Sequence, residues 1–310
     1  MKTDSLISIV VPFLNEEKNL PELYNRLNSV FDGGENSAEF LFIDDGSSDQ
    51  SVMILEKIKE SDARVRILQF SRNFGHQAAI TAGLDHAVGD AVIIMDADLQ
   101  DPPEVLPDMI AKWREGFEVV YAVRRKRAGE SMSKKILATA FYRVFRKISN
   151  LNVPVDAGDF RLLDRCVVDA LKEMRETHRY MRGMTSWIGF KQCAVEYDRA
   201  ARFAGETKYP VWKSVKLALD AITSFSARPL QWMTNAGVMI AVIASVFSIR
   251  IIWLKLSGNA ELIDGWASLS VLILFLGGIQ LSALGLLGQY ISRIFDESKQ
   301  RPLYVLRPEK

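Results

Sequence analysis

The sequence predicts an α/β protein with a largely parallel sheet covered on both faces, joined to two C-terminal membrane-spanning helices. Three observations predict it. Short apolar, β-branched runs alternate with amphipathic stretches through the first two-thirds of the chain. One of these runs, Ile93-Ile94-Met95, stops at two carboxylates one residue apart, Asp96 and Asp98, as a buried strand does when its carboxyl end forms a site. The last third holds two long runs almost without charge.

Each element follows from its own pattern. Leu6 to Val11 is a first strand closed by Pro12, and Asn15-Glu16-Glu17 supplies the cap and first-turn acids of a helix reaching about Val30. Glu39 to Ile43 is a second strand ending at Asp44-Asp45-Gly46-Ser47-Ser48-Asp49, and Val52, Leu55 and Ile58 mark the helix after it. Val65 to Phe70 is a third strand, followed by Ser71-Arg72-Asn73-Phe74-Gly75 and a helix from His76 to His86. Ala91 to Met95 is the fourth, with Pro102 and Pro103 placed to open a helix through Trp113. Val119 to Val123 is the fifth, leading into Arg124-Arg125-Lys126-Arg127 and a basic helix with Lys134, Lys135, Arg143, Arg146 and Lys147. After Asn150 come a polar turn, the alternating stretch to Asp164 and a helix through Met174. Val195 to Pro210 is too polar and too punctuated by glycine to form the core of an element.

From Val211 to Phe225, Val211, Val215, Leu219 and Ile222 recur at helical spacing beside Lys213 and Lys216, which suits a helix lying on a membrane surface or an ordinary packing helix. Met233 to Leu254 is about 22 residues long, enough at about 1.5 Å per residue to cross a hydrocarbon core of about 30 Å. Its charge, Arg250, lies near the far end. Trp266 to Ile291 is a second, uncharged run with Gly277, Gly278, Gly285 and Gly288. Lys213, Lys216 and Arg228 precede the first run, and Arg293, Lys299 and Arg301 follow the second, whereas the intervening loop sets Lys255 against Glu261 and Asp264. The positive-inside rule then puts both flanks in the cytosol and the loop outside, a multi-pass protein of the inner membrane. The resulting division is a head over 1–210, an interfacial helix and linker over 211–230, a two-helix membrane domain over 231–292 and a cytosolic tail over 293–310.

Composition narrows the chemistry. A formal net charge of +1 offers no case for nucleic acid as a partner. The two cysteines, Cys166 and Cys193, lie far apart without C-x-x-C spacing, so no disulfide framework or zinc site is indicated. The first strand is not followed by G-x-G-x-x-G, and no G-x-x-x-x-G-K-[ST], H-E-x-x-H or G-x-S-x-G occurs. What remains is acids at strand ends with bases downstream. Asp44 and Asp45 could bond a base or ribose, Asp96 and Asp98 could reach a diphosphate through Mg²⁺ or Mn²⁺, and Arg124, Arg125, Arg202 or Lys208 could neutralise phosphate. Together they describe a nucleotide-sugar site. Singly, D-D-G-S is an ordinary turn and the Arg124–Arg127 run an ordinary solvated face.

Four ordered segments carry a resemblance: Pro12-Phe13-Leu14-Asn15-Glu16, Ile43 to Asp49, Asp96-Ala97-Asp98-Leu99-Gln100-Asp101-Pro102-Pro103-Glu104, and Gly158-Asp159-Phe160-Arg161-Leu162. In order and spacing the chain resembles family 2 glycosyltransferases of the GT-A fold. With its C-terminal runs it is similar to the polyisoprenyl-phosphate glycosyltransferases, the group that holds the GtrB-type glucosyltransferases and is related to dolichyl-phosphate mannose synthase. The resemblance implies nucleoside binding by Pro12, Leu14, Glu16, Asp44 and Asp45, and diphosphate binding by Asp96, Ala97, Asp98 and Gln100. It implies a metal held by Asp98 and Gln100, with Asp96 beside them, and phosphate or acceptor binding by Arg124, Arg125, Arg202 and Lys208. It offers Asp159 as general base or as organiser of the acceptor. A homo-oligomer is implied too, and the tail from Pro302 to Pro308 could pair with a neighbour.

The reaction so implied is an inverting transfer of one sugar, glucose from UDP-glucose first, to undecaprenyl phosphate. Mannose or a modified arabinose on the same lipid is the nearest alternative. A processive synthase would show Q-x-x-R-W, which is missing here, and a non-catalytic, membrane-tethered nucleotide-sugar binder would not need Asp96, Asp98, Gln100 and Asp159 together.

Overall fold

The computed structural model describes residues 5–33, 36–125, 157–198, 228–257 and 266–308. The basic helix expected near 134–147, the helix expected at 211–225, Arg202, Lys208 and most of the loop between the long runs lie outside them. The chain divides into two compact units, Met1–Lys216 with Arg301–Lys310, and Leu217–Gln300.

The first unit is built on a seven-stranded sheet. Its strands are β1 (Leu6–Phe13), β2 (Ser37–Asp44), β3 (Val65–Gln69), β4 (Ala91–Ile94), β5 (Val119–Arg124), β6 (Ala157–Asp164) and β7 (Gln192–Tyr197). They stand in the order β3-β2-β1-β4-β6-β5-β7. All run parallel except β6, which is antiparallel to both β4 and β5. The inner strands are continuous apolar runs because both faces are covered. On one face, Ile7, Ile9, Val11, Phe40 and Phe42 pack with Leu20, Leu23, Leu27 and Phe31 of α1 (Leu20–Phe31), Leu55 of α2 (Ser51–Ser61) and Met109 and Trp113 of α4 (Leu106–Arg114). The other face carries α3 (His76–His86), which packs on β1 and β2, and α5 (Arg165–Glu173), which packs on α3 and β4. Gly83 allows the close approach of α3, since a Cβ there would fall 2.1 Å from a Val10 methyl.

Several boundaries differ from the sequence expectation. β1 continues through Pro12 to Phe13, paired with β2 up to Asp44, while its pairing with β4 stops at Val10. Pro12 therefore has a strand on one side only, where a missing N–H is tolerated. Helix α1 begins at Leu20, not near Asn15, because Asn15 has φ 57° and the 15–17 segment bonds to the loop after β2. A 3₁₀ turn at Pro103–Val105 precedes α4. The short α6 (Met181–Trp187) and strand β7 were not read from the sequence; β7 is an edge strand on which Val195 and Tyr197 are buried and their neighbours are not.

The tail returns to this unit. Phe70 and Leu306 form an antiparallel bridge, Ser71 N–H donates to Val305 O at 2.9 Å and Arg307 N–H to Gln69 O at 2.8 Å. The segment that could have paired with a neighbour pairs with its own chain at the β3 edge.

The second unit contains α7 (Arg228–Leu256) and α8 (Trp266–Ser298), 29 and 33 residues long. Val242, Val246, Phe247, Phe275, Leu281 and Ile291 are exposed on them. Among the described residues one window, Leu230–Phe247 in α7, meets the length and composition of a membrane span, with mean hydropathy 1.5 and none of it buried.

Candidate active site

The parallel strands β1, β2 and β4 release their chains at one edge of the sheet, where loops can converge on a ligand. The first wall is made by three interlocked loops. Asp44 accepts Ser47 N–H, three residues on, at 2.7 Å through Oδ1 and so fixes the loop after β2. Asp45 Oδ1 accepts the N–H groups of Phe74 at 2.7 Å and Gly75 at 3.0 Å, tying the loop after β3 to the loop after β2. Both aspartates are buried; burial raises the pKa of Asp45, and these two amides oppose the rise. Gly46 sits between the loops at φ 81°, and a Cβ there would lie 2.9 Å from the backbone of Arg72 and of Asn73. Asn15 N–H donates to Ser47 Oγ at 3.0 Å, Asn15 Oδ1 accepts Ser48 N–H at 2.8 Å, and Glu16 N–H donates to Ser51 Oγ at 2.9 Å. Pro12 is buried beneath this corner and Leu14 is half-buried.

The floor is the segment leaving β4. Ala97 and Leu99 turn inward and are buried, whereas Asp96, Asp98 and Gln100 keep partial exposure, so the three polar side chains alternate with two apolar anchors. Leu99 adopts φ 58°, and Asp98 Oδ1 accepts Gln100 N–H at 3.1 Å, which fixes the bend. Loss of water raises the pKa of Asp96 to about 6, with Asp101, Asp159 and Asp98 adding to the rise and His76 opposing it. Among the described residues no three His, Cys, Asp or Glu side chains form a metal cage. The donor set still suits Mg²⁺ or Mn²⁺, because such ions are held by one or two carboxylates together with water and substrate phosphate, and a crowded carboxylate gains from a cation.

The second wall comes from the reversed strand. Asp159 is 11% exposed, and Arg182, on the first turn of α6, lays its guanidinium along it: Nε lies 2.9 Å from Oδ1 and Nη2 3.2 Å from Oδ2. His76, opening α3, places Nε2 3.5 Å from Asp96 Oδ1 and 3.7 Å from Asp159 Oδ2. Burial pushes Asp159 up, but Arg182, His76 and Arg161 outweigh it and hold the carboxyl well below its usual range. Loss of water opposes charge on His76, yet Asp159 and Asp96 raise its pKa to about 9. Arg161, 3% exposed, donates to Gly158 O at 2.8 Å and to Thr185 Oγ1, fixing the Asp159 turn against α6. Its Nε is buried without a hydrogen-bond partner, and burial lowers its pKa to about 10.

Arg124 ends β5 and Arg125 follows it. Arg124 Nε lies 3.4 Å from Tyr197 Oη, and Tyr197 in turn donates to the buried Asp101. Arg125 is exposed and pairs with Glu196 at 3.3 Å. The structure thus brings Asp96, Asp159, His76 and Arg182 together, with Asp98 and Gln100 on the same segment as Asp96. Sequence reading missed His76, seen only as a helix start, as well as Arg182 and Tyr197. The one available signal was that His76 directly follows a glycine loop at a strand's carboxyl end.

The strand order and the strand-end carboxylates define a GT-A-like α/β protein. Residues 8–171 match the model of glycosyl transferase family 2, and the chain belongs to that family and is a glycosyltransferase. It is 50% identical over 300 residues to the uncharacterized glycosyltransferase YkcC of Bacillus subtilis, covering 97% of this chain and 93% of the relative. It is 44% identical to the prophage bactoprenol glucosyl transferase homolog of Escherichia coli, covering 98% and 99%, and 44% identical to the bactoprenol glucosyl transferase of Shigella phage SfV, again covering 98% and 99%.

Proposed function

We propose that this glycosyltransferase moves one glucose from UDP-glucose to a polyprenyl phosphate, undecaprenyl phosphate, with inversion at the anomeric carbon. The observation that carries the reading is the end-to-end similarity, at 44% identity, to bactoprenol glucosyl transferases. On this reading the donor nucleoside lies against Pro12, Leu14, Glu16 and the Asp44–Asp45 turn, and the diphosphate lies beside Asp96, Ala97, Asp98 and Gln100. Asp98 and Gln100, with Asp96, hold Mg²⁺ or Mn²⁺, which when bound offsets the charge developing on the leaving diphosphate. A lipid phosphate oxygen attacks C1 as the bond from C1 to the diphosphate breaks. A phosphate monoester is already anionic at neutral pH, so the attack needs no strong base. Arg124 and Arg125, with Arg202 and Lys208, neutralise phosphate charge.

The same reading makes α7 and α8 a pair of spans, supported by their exposed apolar side chains and by the Lys and Arg residues on their outer flanks. The head over 1–210, the 211–230 linker and the 293–310 tail are cytosolic, and copies of the chain assemble into a homo-oligomer. The test is the full chain in detergent with Mn²⁺ or Mg²⁺, undecaprenyl phosphate and a panel of UDP-glucose, GDP-mannose and a modified-arabinose donor. The expected result is UDP release with UDP-glucose and a lipid product heavier by one hexose. Release from no donor overturns the reading; release from GDP-mannose alone replaces the sugar.

A further inference from the structure

We propose that Arg182 is a phosphate-binding residue of this site, and that Asp159 is its fixed anionic partner instead of a proton acceptor. The geometry of the pair is the first ground. Arg182 meets both oxygens of Asp159 through its Nε and Nη2 edge, and His76 faces Oδ2 from the other side. A carboxylate whose two oxygens face cations is poorly arranged to take a proton from a substrate. The pair is also graded in depth: Asp159 is 11% exposed and Arg182 30%, so the carboxylate lies inside and the guanidinium towards solvent.

Charge is the second ground. Around Asp159 stand Arg182, His76 and the buried Arg161, and across His76 stands Asp96. Arg182 and the buried Arg161 are two permanent cations beside the one carboxylate of Asp159, and a substrate oxyanion is the complementary charge. Arg161 further braces the pair, because it bonds Gly158 O beside Asp159 and Thr185 on the helix that carries Arg182. Arginine suits such a role because its planar guanidinium carries five N–H donors in a fixed fork that matches phosphate.

Two phosphates come to this site on the transfer reading, the lipid monoester and the nucleoside diphosphate, and both present the oxyanions Arg182 would bind. The inference rests on that reading for the identity of the two, and equilibrium binding tells them apart without turnover. The experiment titrates the full chain in detergent with farnesyl phosphate, with farnesol and with UDP plus Mn²⁺, for wild type, Arg182→Gln, Arg182→Lys and Asp159→Asn.

Arg182→Gln is expected to weaken either farnesyl phosphate or UDP by at least about ten-fold while the other stays within about two-fold, and the arm that falls names the phosphate. Arg182→Lys should recover part of the loss by restoring charge, and Asp159→Asn should reproduce the loss on the same arm. Farnesol affinity should not move in any variant. Unchanged affinities for both phosphates overturn the assignment. So does a parallel loss of farnesol and farnesyl phosphate, which marks a collapsed pocket, or an Asp159→Asn variant that binds both phosphates normally yet cannot turn over. A wild-type chain that binds as described but transfers no sugar counts against the transfer reading and leaves Arg182 assigned.

Discussion

Ile94 and Arg161 face each other across the antiparallel ladder of β4 and β6. From Ile94 the chain runs two residues on to Asp96; into Arg161 it arrives from Asp159 two residues before. Because β6 is the reversed strand, its beginning lies at the edge where β4 ends, and carboxylates distant in sequence become neighbours. His76, at the start of α3, then lies within 3.5 and 3.7 Å of the two. One strand reversal thus joins the floor of the site to the opposite wall.

Asp98 and Asp96 are predicted to differ in how their loss is repaired. Asp98→Asn removes a charged ligand from the expected metal site, and turnover should fall by on the order of 100-fold or more. Asp96→Asn should be milder, because it weakens a ligand but also removes a charge that loss of water and then the neighbouring carboxylates disfavour, the causes that raise the Asp96 pKa to about 6. Nucleoside diphosphate release measured against increasing Mn²⁺ checks this. A wild-type rate for Asp98→Asn at ordinary metal concentration removes Asp98 from the metal site.

Gly46 is predicted to tolerate no side chain. It sits at φ 81°, and a Cβ would meet the backbone of Arg72 and of Asn73 at 2.9 Å. Gly46→Ala should therefore destabilise the first unit by about 1–3 kcal/mol. It should also displace the loop that Asp45 holds through Phe74 and Gly75. Thermal unfolding in detergent and UDP affinity give the two readouts; an unchanged melting temperature would falsify the crowding argument.

The strands legible in the sequence are short apolar runs: Leu6 to Val11, Glu39 to Ile43 and Ala91 to Met95, which are buried on both faces, and Val65 to Phe70 and Val119 to Val123, which are buried at most positions. The alternating stretch to Asp164 was visible as well, but its direction and its place between β4 and β5 depend on tertiary pairing that local pattern does not encode. Edge strand β7 buries only every second residue over a short length, and α6 is too short for helical periodicity to register. The late start of α1 was hidden for another reason, since Asn15 and Glu17 have the chemistry of a helix cap but use it on the neighbouring loop. For the site, Asp96 and Asp98 could be read from a strand end, while Gln100 was expected only from the family resemblance. His76 and Arg182 could not, because only the folded topology brings α3 and α6 to Asp159.

Acid is predicted to weaken the corner held by Asp62. Its carboxylate bonds Arg64 Nε at 2.9 Å and Tyr24 Oη at 2.9 Å, and the Arg64 bond is the main reason its pKa falls from 3.8 to about 2. A carboxyl lowered by folding adds stability above its unfolded pKa, and that stability is lost as pH falls through the folded value. The window is therefore between about pH 4 and pH 2. Asp62→Asn should cost about 2 kcal/mol at neutral pH and flatten the acid limb of a denaturation series over that window. An Asp62→Asn series as steep as wild type there assigns the acid limb to other carboxylates.

Tyr304 is predicted to hold the tail on the sheet. Its ring stacks on Phe70 with centroids 5.3 Å apart, and its hydroxyl donates to Asp85 Oδ2 at 2.9 Å. Phe70 in turn meets Phe74 edge-on at 5.6 Å, and Phe74 N–H is the group that Asp45 holds, so the tail is coupled to the loop beside the site. Tyr304→Phe keeps the stack and leaves Asp85 paired with Arg175 at 2.9 Å, so it should cost only about 1 kcal/mol. Tyr304→Ala loses both contacts and should cost about 2 kcal/mol or more. The backbone bonds from Ser71 to Val305 and from Arg307 to Gln69 are the sensitive reporters. Hydrogen exchange at the Ser71 and Arg307 amides should rise sharply in Tyr304→Ala, rise little in Tyr304→Phe, and leave the inner strands β1 and β4 unchanged. Full protection of both amides in Tyr304→Ala would mean that strand pairing alone retains the tail.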